Sequence, residues 1–265
     1  MNISKEKQKI STVAILAKDT YSRNWISHII LFDWRTRIVG ELMSFDELKA
    51  NSITSKIDFL LIDVDDYKDN LNEILNYLIN VLPRIKTLLL ASTVEEDNLI
   101  HLSNDRISGY LLKSESDITL GWAIAYLMEG KLVITETILK EANSQGFDFG
   151  PRCLVINGID SDDYLTSTEN RYARLAFIHS MPRSNLADEL LISTNSSFTL
   201  ISNLYTNLGV TDLLNGDDWI NFNIEKQGVI SSHFVESNGC GYKPRNGTSK
   251  ETIAFHVYSK PRIVN

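Results

Sequence analysis

Residues 58–91 read DFLLIDVDDYKDNLNEILNYLINVLPRIKTLLLA. Two short apolar runs, 58–63 and 85–91, flank a stripe of Leu71, Leu75, Leu78 and Leu82 at helical spacing. An apolar run that does not alternate with polar residues suits a strand covered on both faces, and strands of that kind belong to parallel sheets. The stretch therefore predicts strand, helix, strand, with the first strand ending on an acid, Asp63.

The same alternation continues outward. Residues 12–17 (TVAILA) predict a buried strand, residues 21–34 a helix with Trp25, Ile29 and Phe32 on its apolar face, and residues 37–42 a weaker strand. On the other side, Tyr110-Leu111-Leu112 predicts a short strand and residues 118–128 a helix that stops at Gly130. The order is (βα)5, a doubly wound parallel sheet, whose chemistry belongs at the carboxyl ends of the strands.

Residues 143–164 (NSQGFDFGPRCLVINGIDSDDY) are rich in Gly, Pro, Asn and Asp and predict a linker, with a short strand at 153–156. Helical patterning then resumes. Thr166-Ser-Thr-Glu169 has capping-box form, Pro182 suits a first helical turn, and Ser193 caps a third helix that ends at Gly209. The tight turn Leu191-Ile192-Ser193 makes the last two helices a helix-turn-helix. Beyond Phe222 the pattern is β-like or irregular, with GVISSHFV and TIAFHVYS as the pieces.

The composition, with 43% hydrophobic and 23% charged residues over 265 positions, fits two globular domains. The polar N-terminus predicts no signal peptide, and no run approaches the roughly 18 apolar residues of a membrane span. Cys153 and Cys240 lack metal or redox spacing and are read as free thiols of a reducing cytoplasm. His28, His101, His179, His233 and His256 are scattered, and His233, Cys240 and His256 form at best a weak metal set. No glycine-rich phosphate loop, nucleophile elbow or glycosidase acid pair is present, and residues 160–163 lack the Gly and closing Glu of a calcium loop, so no enzyme is expected. The net charge is −8, unevenly spread. Residues 165–222 carry Arg171, Arg174 and Arg183 against six acids, a net −3, while residues 223–265 carry a net +3.

Residues 86–137 resemble the second half of receiver domains of LuxR/NarL-type (FixJ-like) response regulators. Gly109-Tyr110-Leu111-Leu112-Lys113, followed by Ala123-Ile124 and Gly130, carries the likeness. The resemblance implies a phosphoacceptor at Asp63, a hydroxyl at Ser92 and a lysine at Lys113, with Lys18-Asp19 in place of the usual acidic pair. Asp19 and Asp63 are the carboxylates left for Mg²⁺, the one cofactor implied, since that ion needs hard oxygen ligands. Lys18 replaces an acid with a cation, and residues 64–67 lack the family's proline. Two readings stay open: phosphorylation at Asp63, or a phosphate-free pocket in which Lys18 pairs with Asp63.

Residues 165–219 resemble the LuxR-type DNA-binding unit through Leu165-Thr166-x-x-Glu169, residues 186–190 (LADEL), Ile192-Ser193, residues 207–210 (NLGV) and Trp219. In that family the helix after Ile-Ser enters the major groove. Here it reads TNSSFTLISNLYTN over residues 194–207 and has no charged residue. Ser197, Ile201, Leu204 and Leu208 form its inward stripe. The DNA-contact candidates are Thr194, Asn195, Ser196, Thr199, Asn203 and Arg183. Phe198 and Tyr205 lie off the stripe, either covered by another part of the chain or forming a partner-binding face. The basic pieces Lys243-Pro244-Arg245 and Lys260-Pro261-Arg262 are candidates for phosphate contacts from outside the helix.

The expected organisation is a doubly wound receiver-like domain over 1–142, a linker over 143–164, an all-α helix-turn-helix domain over 165–222 and a basic, β-like or irregular extension over 223–265. The expected function is transcription regulation by a cytoplasmic homodimer that binds DNA and answers to a sensor kinase or partner regulator, with no membrane partner. The alternative is a regulatory adaptor that binds another regulator or signalling protein and not DNA.

Overall fold

The computed structural model describes residues 10–31, 33, 35–50, 52–103, 106–179, 181–211 and 250–264. They fall into two units, one made of residues 10–160 with 259–264 and the other of residues 161–211 with 250–258.

The first unit is the expected α/β sheet, carried further than expected. Its strands and helices alternate as β1 (Ser11–Leu16), α1 (Thr20–Leu31), β2 (Thr36–Leu42), α2 (Phe45–Ala50), β3 (Phe59–Asp63), α3 (Leu71–Val81), β4 (Lys86–Ala91), α4 (Glu96–Ser103) and β5 (Gly109–Leu112). The turn α5 (Lys113–Ser116) leads to α6 (Leu120–Met128), β6 (Leu132–Thr135), α7 (Glu136–Ser144) and β7 (Cys153–Ile159). The chain end supplies β8 (Pro261–Val264). The strand order is β2-β1-β3-β4-β5-β6-β7-β8; every pair is parallel except β7 with β8.

The apolar runs behave as their composition dictates. All five residues of β3 and all four of β5 are buried. Leu71, Ile74, Leu75 and Leu78 turn from α3 into a core shared with Leu60, Ile62, Leu89, Tyr110 and Leu112. At ~25 cal/mol per Å² of apolar area removed from water, each such leucine contributes about 1.5–3 kcal/mol. Gly109 starts β5 because a Cβ there would lie 2.8 Å from the Val133 carbonyl oxygen on β6. The order reverses between β1 and β3, the switch point beyond whose carboxyl strand ends the chemistry of doubly wound sheets belongs.

Residues 143–164 are not a linker. They complete α7 and supply β7, of which the short strand at 153–156 is only part. Gly146, Gly150 and Pro151 precede β7, which pairs with β6 on one side and on the other with β8, about a hundred residues further on, as Val155↔Val264 and Ile156↔Ile263. Within 223–265 the β-like reading holds at Pro261–Val264, which is strand β8, and fails over TIAFHVYS. Lys250–Tyr258 is helical, although TIAFHVY is rich in β-branched and aromatic residues, because packing overrides so weak a propensity. Lys260-Pro261-Arg262 is no free tail. Lys260 pairs with Asp160 at 3.6 Å, its carbonyl accepts from the Asp160 N–H, and Pro261 opens β8, an edge position that proline tolerates. The Lys243 to Arg245 cluster, GVISSHFV, Trp219, His233 and Cys240 lie outside the described residues.

The second unit contains α8 (Ser167–Ala173), prolonged by a π-helical turn at Arg174–Ile178, then α9 (Arg183–Glu189), α10 (Thr194–Asn207) and α11 (Lys250–Tyr258). Each expected helix start is present. Thr166 and Glu169 form the reciprocal capping box, Pro182 stands at the N-cap of α9, and the Ser193 hydroxyl accepts the Ser196 N–H. Gly209, at φ 70°, takes the left-handed conformation just after α10. Glu169 also accepts a bond from Asn207 Nδ2 at 2.7 Å, tying the start of α8 to the end of α10.

Candidate functional site

Asp63 ends β3 with its side chain 1% exposed, and Lys113, the first residue after β5, reaches it from two strands away. Lys113 Nζ donates to both Asp63 oxygens at 2.7 Å. It donates as well to Asp65 Oδ2 at 2.9 Å. Asp65 enters the pocket because residues 64–66 form a 3₁₀ turn capped by Asp63, whose Oδ1 accepts the Asp65 N–H at 3.3 Å. Ser92, just beyond β4, completes the cluster. Its N–H donates to both Asp65 oxygens, at 3.2 and 3.1 Å, and its hydroxyl to Asp65 Oδ2 at 2.6 Å.

The pocket thus gathers Asp63, Ser92 and Lys113 as the sequence expected, but Asp65 is its hub and was missed. Nothing in its own side chain marked it. The signal was its place two residues after Asp63 in Asp63-Val64-Asp65-Asp66, where the short turn folds its carboxylate back over the strand ends. Asp66 was missed too; its Oδ2 accepts the Lys18 N–H at 2.6 Å and the Asp19 N–H at 3.0 Å.

Lys18 and Asp19 take roles other than those expected. The Lys18 ammonium does not pair with Asp63; it lies 4.7 Å from the ring centroid of buried Tyr67. That phenol donates to the Met43 carbonyl at 2.8 Å, and burial, with Asp66 beside it, pushes its pKa up to about 12. Asp19 Oδ2 accepts the Ser22 N–H at 2.6 Å in the first turn of α1. The Arg23 guanidinium holds the Ala17 and Lys18 carbonyls at 2.7 Å each, fixing the loop after β1.

Burial works to raise the Asp65 pKa, yet the bonds from Ser92 and Lys113 prevail and hold it below the ordinary carboxylate value. Lys113 mirrors this. Burial works to lower its pKa, but Asp63 and Asp65 hold it above the usual lysine value. The cluster is a triad in which Lys113 forms ion pairs with both Asp63 and Asp65.

These residues do not fit Mg²⁺. Both Asp63 oxygens face an ammonium, Asp65 is spent on Ser92 and Lys113, and Asp66 and Asp19 accept backbone N–H groups. A hard cation needs oxygen ligands turned towards it. Among the described residues no three His, Cys, Asp or Glu side chains gather to hold a metal.

In the helical unit, α10 divides cleanly. Ser197, Ile201, Leu204 and Leu208 are buried, as their spacing predicted. Thr194, Asn195, Ser196, Thr199 and Asn203 are exposed together with Ser202 and Thr206, a continuous uncharged polar face. Arg183 begins α9; its side chain is outside the described residues. Phe198 stands on the outer face, 52% exposed, and Leu191 projects from the turn with φ 54°. Tyr205 does not share that face. It is buried and stacked on Phe177 with ring centroids 6.4 Å apart, and Phe177 in turn meets Tyr258 of α11 edge-on at 6.0 Å. Tyr205 is therefore part of the core, not a partner-binding residue. Arg171, the base of α8, is exposed and engaged with Glu189 at 3.2 Å.

No protein-family model matches the chain, and no curated protein matches it either. Among solved structures it is similar to the isolated REC domain of RcsB from Salmonella enterica serovar Typhimurium in the presence of the phosphomimetic BeF3−. The identity is 21% and the TM-score 0.44, over 49% of this chain and 96% of that one. A structure of two RcsB dimers bound to two parallel DNAs is 20% identical with a TM-score of 0.44, covering 75% of this chain and 92% of that one. The response regulator ChrA of a heme-sensing two-component system is 18% identical with a TM-score of 0.42, covering 77% and 92%. These likenesses are low in identity, so the chemistry of this chain has to be read from its own side chains.

Proposed function

We propose that this chain is a transcription regulator of the response-regulator type, a non-enzymatic, cytoplasmic homodimer that reads DNA through α10 and whose receiver-like domain works without phosphorylation. The observation that carries the reading is the outer face of α10. Thr194, Asn195, Ser196, Thr199 and Asn203 present exposed hydroxyl and amide groups, on a helix held from behind by a buried stripe and started by the Ser193 cap. Side chains of that kind hydrogen-bond base edges in the major groove, Asn to adenine above all. Arg183, at the start of α9, is the candidate for a phosphate contact.

The lack of charge on α10 has a measurable consequence. Residues 165–222 hold three bases, so at about −0.9 per neutralised phosphate they account for a salt slope no steeper than about −3 per protomer. Little non-specific affinity then remains, and two copies on paired half-sites supply what one lacks. A mobility-shift titration at rising salt tests this, using DNA selected from a random pool. A complex with a shallow slope, lost when Asn195 and Asn203 are both changed to Ala, is expected. No complex at low salt would overturn the DNA reading and leave the adaptor.

A further inference from the structure

We propose that the crevice at the strand ends is an oxyanion pocket whose resident oxyanion is the chain's own Asp65 carboxylate, standing where a group carried on Asp63 would otherwise sit. This deepens, and rests on, the reading of the first unit as a receiver-like domain that works without phosphorylation.

Three donors converge on one carboxylate. The Ser92 N–H, the Ser92 hydroxyl and the Lys113 ammonium all point at Asp65, at 2.6–3.2 Å. A backbone N–H, a hydroxyl and an ammonium brought together by two different strand ends make a set suited to an anion with several acceptor oxygens, and charge-assisted bonds of this kind are the strong ones. Lys113 simultaneously holds Asp63, so the donor set lies directly beside that carboxylate. The approach to Asp63 is thus taken by a covalently tethered group. A tethered anion meets no translational cost of binding, so it outcompetes a free one of similar chemistry. The lysine that locks this pocket is Lys113, and it does so with a second acid in place of a phosphoryl group.

The position should accept a free oxyanion once Asp65 loses its carboxylate. Formate is the matching probe, because it restores the same group with the same charge. The full-length Asp65→Ala variant is expected to melt several degrees below wild type and to regain most of that loss, saturably, as sodium formate is added, with sodium chloride as the ionic-strength control. Wild type, and Asp65→Ala combined with Ser92→Ala, should respond to formate no more than to chloride. A folded Asp65→Ala that gains nothing specific from formate, or a wild type that gains as much, would overturn the proposal. If Asp65→Ala does not fold, wild type with beryllofluoride and Mg²⁺, followed by fluorine NMR, decides. No bound fluorine signal supports a pocket already filled, and a bound signal that disappears in Asp63→Asn refutes it. Neither readout involves DNA. Failure here leaves the DNA reading standing, and failure of the mobility shift leaves the anion pocket standing.

Discussion

Replacing Lys113 with Met keeps the length of the side chain and removes the only cation bonded to Asp63 among the described contacts. Asp63 is then a carboxylate 1% exposed to solvent, with a second carboxylate, Asp65, beside it. Breaking a buried ion pair from one side costs about 3–5 kcal/mol, mostly because a charge is left stranded. The Lys113 side chain is 23% exposed, so water can reach the vacated space and the low end applies, about 3 kcal/mol. For a domain of 150–250 residues about 1 kcal/mol moves Tm by ~2–4 °C, so the first unit should melt roughly 6–12 °C lower. Calorimetry at neutral pH reads it. The partner variant Asp63→Asn should remove the stranded charge, so the double variant should recover most of the loss, a coupling that only a direct interaction gives. A Lys113→Met protein melting within about 1 °C of wild type, or a double variant with purely additive losses, would refute the triad as the bond that holds the strand ends together.

Gly109→Ala should cost about 1–3 kcal/mol in denaturant unfolding, because the new methyl group meets the Val133 carbonyl at 2.8 Å in the middle of the sheet. Tyr205→Ala should cost about 3 kcal/mol or more, whereas Phe198→Ala should stay within about 0.5 kcal/mol; equal losses would contradict the packing described for α10. His101 is buried, neither ring nitrogen has a hydrogen-bond partner among the described residues, and burial, with Arg106 adding to it and Asp97 opposing it, lowers its pKa below 6.5. The unfolded chain therefore binds the proton more tightly, so the stability His101 permits is complete above pH ~6.5 and declines as pH falls below that value. A His101→Leu variant should flatten that part of the stability–pH curve, and an unchanged curve would refute the assignment.

The sheet core was legible because β3, β4 and β5 are continuous apolar runs and α3 carries its leucines at helical spacing, signals held within a few residues. The caps Thr166 and Ser193 were legible for the same reason. What escaped was non-local. Only the part of β7 at 153–156, which pairs with β6, was legible; its other partner, β8, is reached only after the whole helical unit, and its turn-rich approach suggested a linker. Tyr205 lies off the helical stripe by spacing alone, yet the Phe177 and Tyr258 rings make a place for it. In the pocket, family resemblance led to Asp63, Ser92 and Lys113 but gave no role to Asp65, because the role comes from a 3₁₀ turn that only the fold reveals. The pairing with Asp63 that one reading gave to Lys18 falls to Lys113, while the Lys18 backbone N–H donates to Asp66 and its ammonium lies over the Tyr67 ring.

α10 is proposed to read DNA, and the receiver-like pocket to work without a phosphoryl group. Wild type and Asp63→Asn should be incubated with acetyl phosphate and Mg²⁺, weighed by intact-mass spectrometry, and titrated onto the selected DNA. The account predicts unchanged masses and, for each protein, the same Kd before and after treatment. A phosphate found on wild type but not on Asp63→Asn, accompanied by tighter DNA binding, would contradict it.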